Sequence, residues 1–368
     1  MATYKIFPYK DATLYSETPT ANTGLDAICE VWNTPTNVSR FLTHFLPSEI
    51  QEVIDGKIQG SQWDVFFRNF IANSTGLSFD TNIEILPIAQ PWDNGLGEFG
   101  DVPTTTNGVS WSTTDVSSIT PWLESGSVGT NFFTSSYTST PGGGNWFYSG
   151  SNVPTYVVTQ SFGLRSEKDI NVGVKDIVEE WYSGSLPNYG FITKFEDSIE
   201  FNSSINVQPN LKYFSVDTNT IYPPILEFKW RDYQTILNGN EPNIIGNDNI
   251  KISLEENPNK FYQNSVNRFK INCAPIYPIR VFQTSSLFTN QYYLPTSSYY
   301  AIKDLDTNEF IINFDDDYTQ ISANSGGNYF DIYMNGLQPE RYYKVQIKTV
   351  SNGITKIYDD SYYFKIIN

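Results

Sequence analysis

Between Tyr342 and Thr349 the chain alternates without a break. Tyr343, Val345, Ile347 and Thr349 form an apolar or β-branched row, while Tyr342, Lys344, Gln346 and Lys348 form a polar one. A period of two puts those rows on opposite faces of a β-strand. Asn352-Gly353 follows, and both residues tolerate the positive φ that a type I′ hairpin turn needs at its two central positions. A strand, a tight turn and a returning strand are expected here.

The rest of the chain is built in the same style. Aromatic residues make up 16% of its 368 positions and charged residues only 17%, with Ser, Thr, Asn and Gly filling the gaps between short apolar runs. This is the composition of an all-β protein with many turns, and the length allows two domains with full cores. All eight Trp lie at or before Trp230, so the last third has a differently built core and a boundary falls near there. The net charge of −17 and a pI near 4.4 argue against nucleic acid or an anionic membrane as partner, because Coulomb repulsion precedes any specific contact. Cys29 and Cys273 fall in different expected domains and suggest small buried residues in a reducing compartment rather than a disulfide framework. Met1 to Pro8 lacks the charged start and apolar run of a signal peptide, and no stretch approaches the roughly 20 apolar residues of a membrane span.

Along the chain, opening strands are expected up to residue 46, with two strands joined by a turn-rich stretch between Asp11 and Phe45. Ser48-Glu-Ile-Gln51 offers a capping box for a short helix ending at Gly56, with Ile50, Val53 and Ile54 as its buried stripe. Residues 61 to 90 alternate well enough for strands. From Gln90 to Thr155 a long loop rich in Ser, Thr, Gly, Asn and Trp is expected, and long loops are more often functional than idle. Val174, Ile177, Val178 and Trp181 then recur at i, i+3, i+4 and i+7, the stripe of a second short helix, with Asn171 as N-cap and Gly184 as the residue after its end. Leu237 to Asn249, rich in Asn and Gly, is taken as a linker. The expected organisation is therefore a sandwich over 1–232, a linker over 233–249 and a second sandwich over 250–368.

Several landmarks occur in a fixed order: Asp11-Ala-Thr-Leu-Tyr-Ser-Glu17, the Asn22-Thr-Gly24 turn, Ser39-Arg-Phe-Leu-Thr-His-Phe45, the stretch from Pro91 to Pro103 followed by Gly108-Val-Ser-Trp111, Pro141-Gly-Gly-Gly-Asn-Trp146, the helix from Val174 to Gly184 with Pro187-Asn-Tyr-Gly-Phe191 behind it, and Pro223-Pro-Ile-Leu-Glu-Phe-Lys-Trp230. In this order they resemble the DNRLRE family of β-sandwich domains across most of residues 1 to 232. The family's eponymous hexapeptide is missing; Asp26-Ala-Ile-Cys-Glu-Val31 stands in its place. The resemblance implies a jelly-roll-like sandwich of a kind usually found in secreted, surface-attached or carbohydrate-associated proteins. Near the other end, Leu337-Gln-Pro339-Glu-Arg-Tyr-Tyr343 resembles the tyrosine corner of fibronectin type III and other immunoglobulin-like sandwiches, where a Tyr hydroxyl bonds back to the backbone at a strand corner. The fold class expected is all-β, with two sandwiches and two short helices in the first.

Candidate chemistry is sparse. His44 is the only histidine, and it sits between Thr43 and Phe45 in an expected strand on the face of Leu42, a structural position, so no convincing Ser/His/Asp or Cys/His nucleophile system is expected. Gly142-Gly143-Gly144 lacks the Lys and following helix of a phosphate loop. Asp93, Glu98 and Asp101 beside Trp92 could supply the two carboxyls of a glycosidase, or an acidic surface loop. Asp304, Asp306 and Asn308 have the first three spacings of a calcium loop, but Glu309 replaces the glycine of its sharp turn, which favours a hairpin. Asp315-Asp316-Asp317 is expected to be a solvated loop. Trp92, Trp111 and Trp146 are the candidates for stacking on sugar rings, against the alternative of core or loop-anchoring Trp. No cofactor and no metal ligand set is expected.

These features suggest a non-enzymatic structural part of a tailed bacteriophage particle, at the tail, baseplate or neck, made in the host cytoplasm. Its partners would be other virion proteins and symmetric copies of itself, with no nucleic acid and no membrane. The alternative is a carbohydrate-binding module that contacts host polysaccharide.

Overall fold

The computed structural model describes residues 2–77, 80–105, 107–135, 142–150, 155–202, 207–237, 243–246, 249–255, 258–277 and 291–368. The chain divides into two compact units: Ile6–Lys57 with Asp64–Glu227, and Met1–Lys5 with Ile58–Trp63 and Phe228–Asn368. It is all-β with few helices.

The first elements are β1 (Ala2–Ile6), β2 (Lys10–Tyr15), β3 (Ile28–Asn33), β4 (Val38–His44), α1 (Pro47–Gly56), β5 (Trp63–Asn69), β6 (Ile71–Thr75) and β7 (Thr81–Pro87). The segment from Asp11 to Phe45 thus holds three strands where two were expected. The extra one, β3, pairs with β4 and with a later strand and buries Cys29 and Val31. Helix α1 starts one residue before the expected capping box: Pro47 is its first residue, Leu46 is the N-cap, and no side chain caps it. Proline suits that first position because the missing N–H would have had no helical acceptor. Ile50 and Val53 are buried as the stripe requires, while Ile54 is only half-buried.

The stretch expected to be a long loop contains short strands: β8 (Thr113–Asp115), β9 (Thr120–Pro121), β10 (Ser125–Val128), β11 (Asn131–Thr134) and β12 (Trp146–Ser149). After it come β13 (Val158–Phe162), β14 (Ile170–Gly173), α2 (Lys175–Ser183), β15 (Phe191–Phe195), α3 (Asp197–Glu200), β16 (Asn210–Phe214) and β17 (Ile225–Trp230). In α2 the expected stripe is fully used, with Val174, Ile177, Val178 and Trp181 all buried. Gly184 caps its end at φ 77° and donates to the Trp181 carbonyl. Asn171 is not its N-cap. It lies in β14 opposite Arg68 of β5, and Val174 precedes the helix instead.

The main sheet of this unit has the order β13-β7-β15-β4-β3-β16-β6, with β2 added against β4. Both faces near β4 and β15 are covered. On one face Phe45 and Phe191 meet Phe67 of β5 and Trp181 of α2, with ring centroids between 4.6 and 6.4 Å apart. On the other, Leu14, Leu42, Leu86 and Ile192 pack with Trp92, Val109, Trp122 and Trp146 from the 90–149 stretch. All five residues of β15 are consequently buried.

The second unit contributes β18 (Ile250–Glu255), β19 (Lys260–Tyr262), β20 (Val266–Pro275), β21 (Ser298–Asp304), β22 (Phe310–Ile312), β23 (Ser322–Asn324), β24 (Gly327–Tyr333), β25 (Tyr342–Ser351) and β26 (Ile354–Ile367). They form two sheets, β18-β20-β24-β23 and β19-β26-β25-β21-β22. Tyr300 of one stacks on Phe330 of the other at 4.2 Å, and Phe330 stacks on Phe269 at 5.3 Å, so the sheets share one core. The turn residues Asn352 and Gly353 have φ of 52° and 76°, and Ser351 pairs with Ile354 across them, the expected hairpin. The Tyr343 hydroxyl accepts from the Gln338 N–H at 2.7 Å and donates to the Gln338 carbonyl at 3.2 Å, closing the tyrosine corner. The N-terminal residues belong to this unit through contacts such as Asn335 Nδ2 donating to the Lys5 carbonyl. Of the stretch expected to be a linker, residues 238–242 and 247–248 lie outside the described residues. Its described parts are tethered: the Ile236 N–H donates to the Ala323 carbonyl and the Ile245 N–H to that of Tyr293. No helix among the described residues is long and apolar enough to cross a membrane.

Candidate functional site

The alternation of β4, β15 and β7 carries three charged residues onto the face that holds Leu42, Ile192 and Leu86. Ile192 stands between Leu42 and Leu86, and two residues on, Lys194 stands opposite Glu84. Arg40, two residues before Leu42, lies opposite Leu14. The apolar face therefore ends in a charged cluster. Arg40 Nε donates to Glu200 Oε1 at 2.7 Å, with both side chains fully buried. Lys194 Nζ reaches Glu84 at 3.0 Å, Asp197 at 2.6 Å and Glu200 at 3.7 Å. Short helix α3, immediately after β15, supplies two of those carboxylates. Burial raises the Glu84 carboxyl above its usual range, and the charge and hydrogen bond of Lys194 work against that rise.

Aromatic rings and a glycine loop roof the cluster. The Arg40 guanidinium lies 5.1 Å from the ring centroids of both Trp111 and Trp146, and Lys194 Nζ lies 4.9 Å from that of Trp146. Arg40 Nη1 donates to the Gly143 carbonyl at 2.5 Å, and the Gly143 N–H donates to the Trp111 carbonyl at 2.6 Å. The loop lies so close that a Cβ on Gly143 would sit 2.7 Å from the Trp111 ring and 2.9 Å from Arg40, and φ there is +70°. A Cβ on Gly142 would come within 2.9 Å of Trp111 Nε1. The glycine run thus lets backbone touch an indole and a guanidinium.

Of the Trp candidates, Trp111 and Trp146 are brought together around Arg40, and Trp92 lies elsewhere in the same apolar cluster. Trp146 is 1% exposed and Trp92 6%; Trp111 is half-buried. The Trp92 indole donates to the Tyr189 carbonyl at 2.9 Å, and Lys10 Nζ lies 4.1 Å from its ring centroid. A surface stacking platform needs open ring faces, and Trp92 and Trp146 do not offer them.

The loop after Trp92 is fastened by a residue that sequence reasoning named only as a turn. Asn22 is buried, its Nδ2 donating to the carbonyls of Asn94 at 2.7 Å and Val109 at 2.8 Å, and its Oδ1 accepting from Gly97 N–H at 2.8 Å. Beside it, Thr23 Oγ1 accepts from the Thr13 N–H and donates to the Thr13 carbonyl. One carboxylate of this loop closes a turn: Asp101 Oδ2 accepts from the Glu98 N–H at 3.0 Å and from Thr105 Oγ1 at 2.7 Å, bonds that hold its pKa below the usual value.

The remaining candidates are also structural in their contacts. His44 is held down to about 4 by burial first and then by the charge of Lys10, so it is neutral at pH 7. Asp304 Oδ1 accepts the N–H groups of Asp306 and Thr307, and both its oxygens accept from Arg341 at 2.7 Å, which makes 304–309 a braced hairpin turn. Asp315 closes its own turn by accepting from the N–H groups of Asp317 and Tyr318. Among the described residues no group of three or more His, Cys, Asp or Glu is arranged to hold a metal ion. Cys29 and Cys273 are free and buried.

What the sequence reading missed is the Arg40–Lys194–Glu200 cluster. The available signal was a charged residue inside an otherwise apolar strand: Arg40 before Phe41-Leu42, and Lys194 between Thr193 and Phe195. No known family model matches the chain, and no curated protein is significantly similar to it.

Proposed function

We propose that this chain is a non-enzymatic structural component of a tailed bacteriophage particle, at the tail, baseplate or neck, acting through protein–protein interfaces. Its residues 1 to 232 would be a DNRLRE-type sandwich adapted to docking. The observation that carries this reading is how the charged cluster is spent: Arg40, Lys194 and Glu200 have fully buried side chains paired with one another. Charges so enclosed brace a fold and offer a substrate nothing to touch, whereas a general acid or base must reach the proton it moves. In some proteins buried ionic groups specify one arrangement rather than add stability, and such a role here would suit a part that must fit neighbours. The alternative, a glycan-binding module on exposed indoles, draws less support, since Trp92 and Trp146 are core residues. Immunogold electron microscopy of intact particles tests the proposal: label at one fixed position on the tail or neck supports it, and particles that never label while the free protein does would overturn it.

A further inference from the structure

The net charge is not shared between the two units. The unit formed by Ile6–Lys57 and Asp64–Glu227 holds 25 Asp and Glu against nine Lys and Arg; the other holds 15 against 14, so −17 divides into −16 and −1. Within the nearly neutral unit, the outer face of the five-stranded sheet is rich in lysine. Lys303 of β21 stands directly opposite Lys344 of β25, and Lys260 of β19 directly opposite Lys365 of β26. Like charges directly opposite on one sheet face cost stability, yet this face holds two such pairs. Aromatic rings lie beneath them: Lys303 is 4.3 Å from the Phe310 ring centroid, Lys365 5.6 Å from that of Tyr342 and Lys344 5.8 Å from that of Tyr363. Asp359 and Glu340, on the same chain, pair with Lys344 and Lys365 and offset only part of the repulsion.

The acidic unit displays a complementary surface. The loop fastened by Asn22 exposes Leu96, Phe99 and Val102, the last at 95%, and Asp26, Glu98 and Asp101 lie among them. Asp26 Oδ1 accepts the Phe99 N–H at 2.9 Å. Burial and the nearby charges of Glu98, Asp101 and Glu30 raise the Asp26 carboxyl above its usual range, against that hydrogen bond. One surface thus carries an excess of positive charge over aromatic rings, with one carboxylate for each pair of opposed lysines, and the other an excess of negative charge around exposed apolar side chains.

We propose that the Lys/Tyr face of the five-stranded sheet receives the acidic Leu96–Val102 loop of a second copy of this chain, in a head-to-tail contact. Copies of like net charge can meet this way because screening at physiological salt reaches only about 8 Å, so the local surfaces decide. A heterologous contact of this kind builds rings or filaments according to its rotation, which gives the assembly reading above a defined joint and rests on it.

Sedimentation velocity of the full chain at about 50 μM tests the joint, a concentration suited to a contact of micromolar strength. The wild type is expected to form dimers and larger species. K303E/K344E loses one side of the joint and E98K/V102K the other, so each alone is monomeric, with association weakened at least about tenfold. Mixed in equal amounts, the charge-neutral variants K303Q/K344Q and E98Q/V102S form a species that stops at two chains, because each retains one competent face and no reversed charges rebuild the second contact. Where circular dichroism shows a charge-reversed variant unfolded, K303Q/K344Q and E98Q/V102S take its place. Wild type that stays monomeric, or folded variants that fail to pair on mixing, overturns the proposal. So does heparin, used as a probe, binding a monomeric chain in a way that K303E/K344E abolishes, since the face would then serve an anionic polysaccharide. A chain found in particles but monomeric in solution sinks this joint alone, whereas a chain absent from particles sinks the assembly reading.

Discussion

Single residues here act mainly by letting parts of the backbone touch. Gly143 sits at φ +70° against Trp111 and Arg40, so Gly143→Ala combines an unfavourable backbone conformation with a steric clash. We expect a loss of about 2–4 kcal/mol in urea denaturation, and a loss below about 0.5 kcal/mol would mean that the glycine loop does not rest on the cluster. Asp11 gives a pH signature. It is buried, accepts from Ser215 Oγ at 2.9 Å and from the Val216 N–H at 2.7 Å, and burial raises its pKa to about 7 despite those bonds. Its folded pKa lies above its ordinary value of 3.8, so its contribution is fully present below about pH 4 and is lost as pH rises through 7. Wild type should therefore lose on the order of 2–4 kcal/mol relative to Asp11→Asn between pH 4 and pH 8. Denaturation midpoints for both proteins at those two pH values measure it, and parallel pH profiles would contradict the assignment.

At the scale of elements, legibility followed the number of faces a segment buries. Strand β25 has one face in the core and one outside, so its alternation, its Asn352-Gly353 turn and its tyrosine corner were all readable from residue types. Tyr343→Phe should keep the packing but lose both hydrogen bonds to Gln338, at a cost of about 1–3 kcal/mol by thermal or chemical denaturation; a neutral substitution would show that the corner is held by packing alone. The stripe of α2 was legible for the same reason. A strand was readable between residues 189 and 201, where β15 lies, but its burial on both faces was not, because the second face is covered by side chains from the long stretch after Gln90 that was expected to be a loop. Helix starts were misplaced by one to a few residues where Pro47 and the β14 ladder took over from local capping preference. Asn22 looked like a turn residue because its partners, at Asn94, Gly97 and Val109, are more than 70 positions away. Arg40, Lys194 and Glu200 were overlooked for a similar reason: their meaning lies in a register that sets β4 beside β15, and nothing local announces it. The Trp residues were noticed, but position in sequence does not tell a covering ring from an exposed one, and two of the three cover the sheet.

For the whole molecule, the common thread is that chemistry-bearing groups are turned inward and charge is left on the surfaces in separate places. Arg40 and Glu200 brace one unit from within, and Asp304 with Arg341 ties a turn in the other. Among the described residues, an acidic unit and a lysine-rich sheet face are turned to water, the surfaces that the proposed joint would use. The most direct measurement is quantitative mass spectrometry of density-banded phage particles. The account predicts peptides from both units at a fixed ratio to known tail or neck proteins, unchanged by repeated banding. Peptides that fall to the level of host contaminants with each round of purification would contradict it.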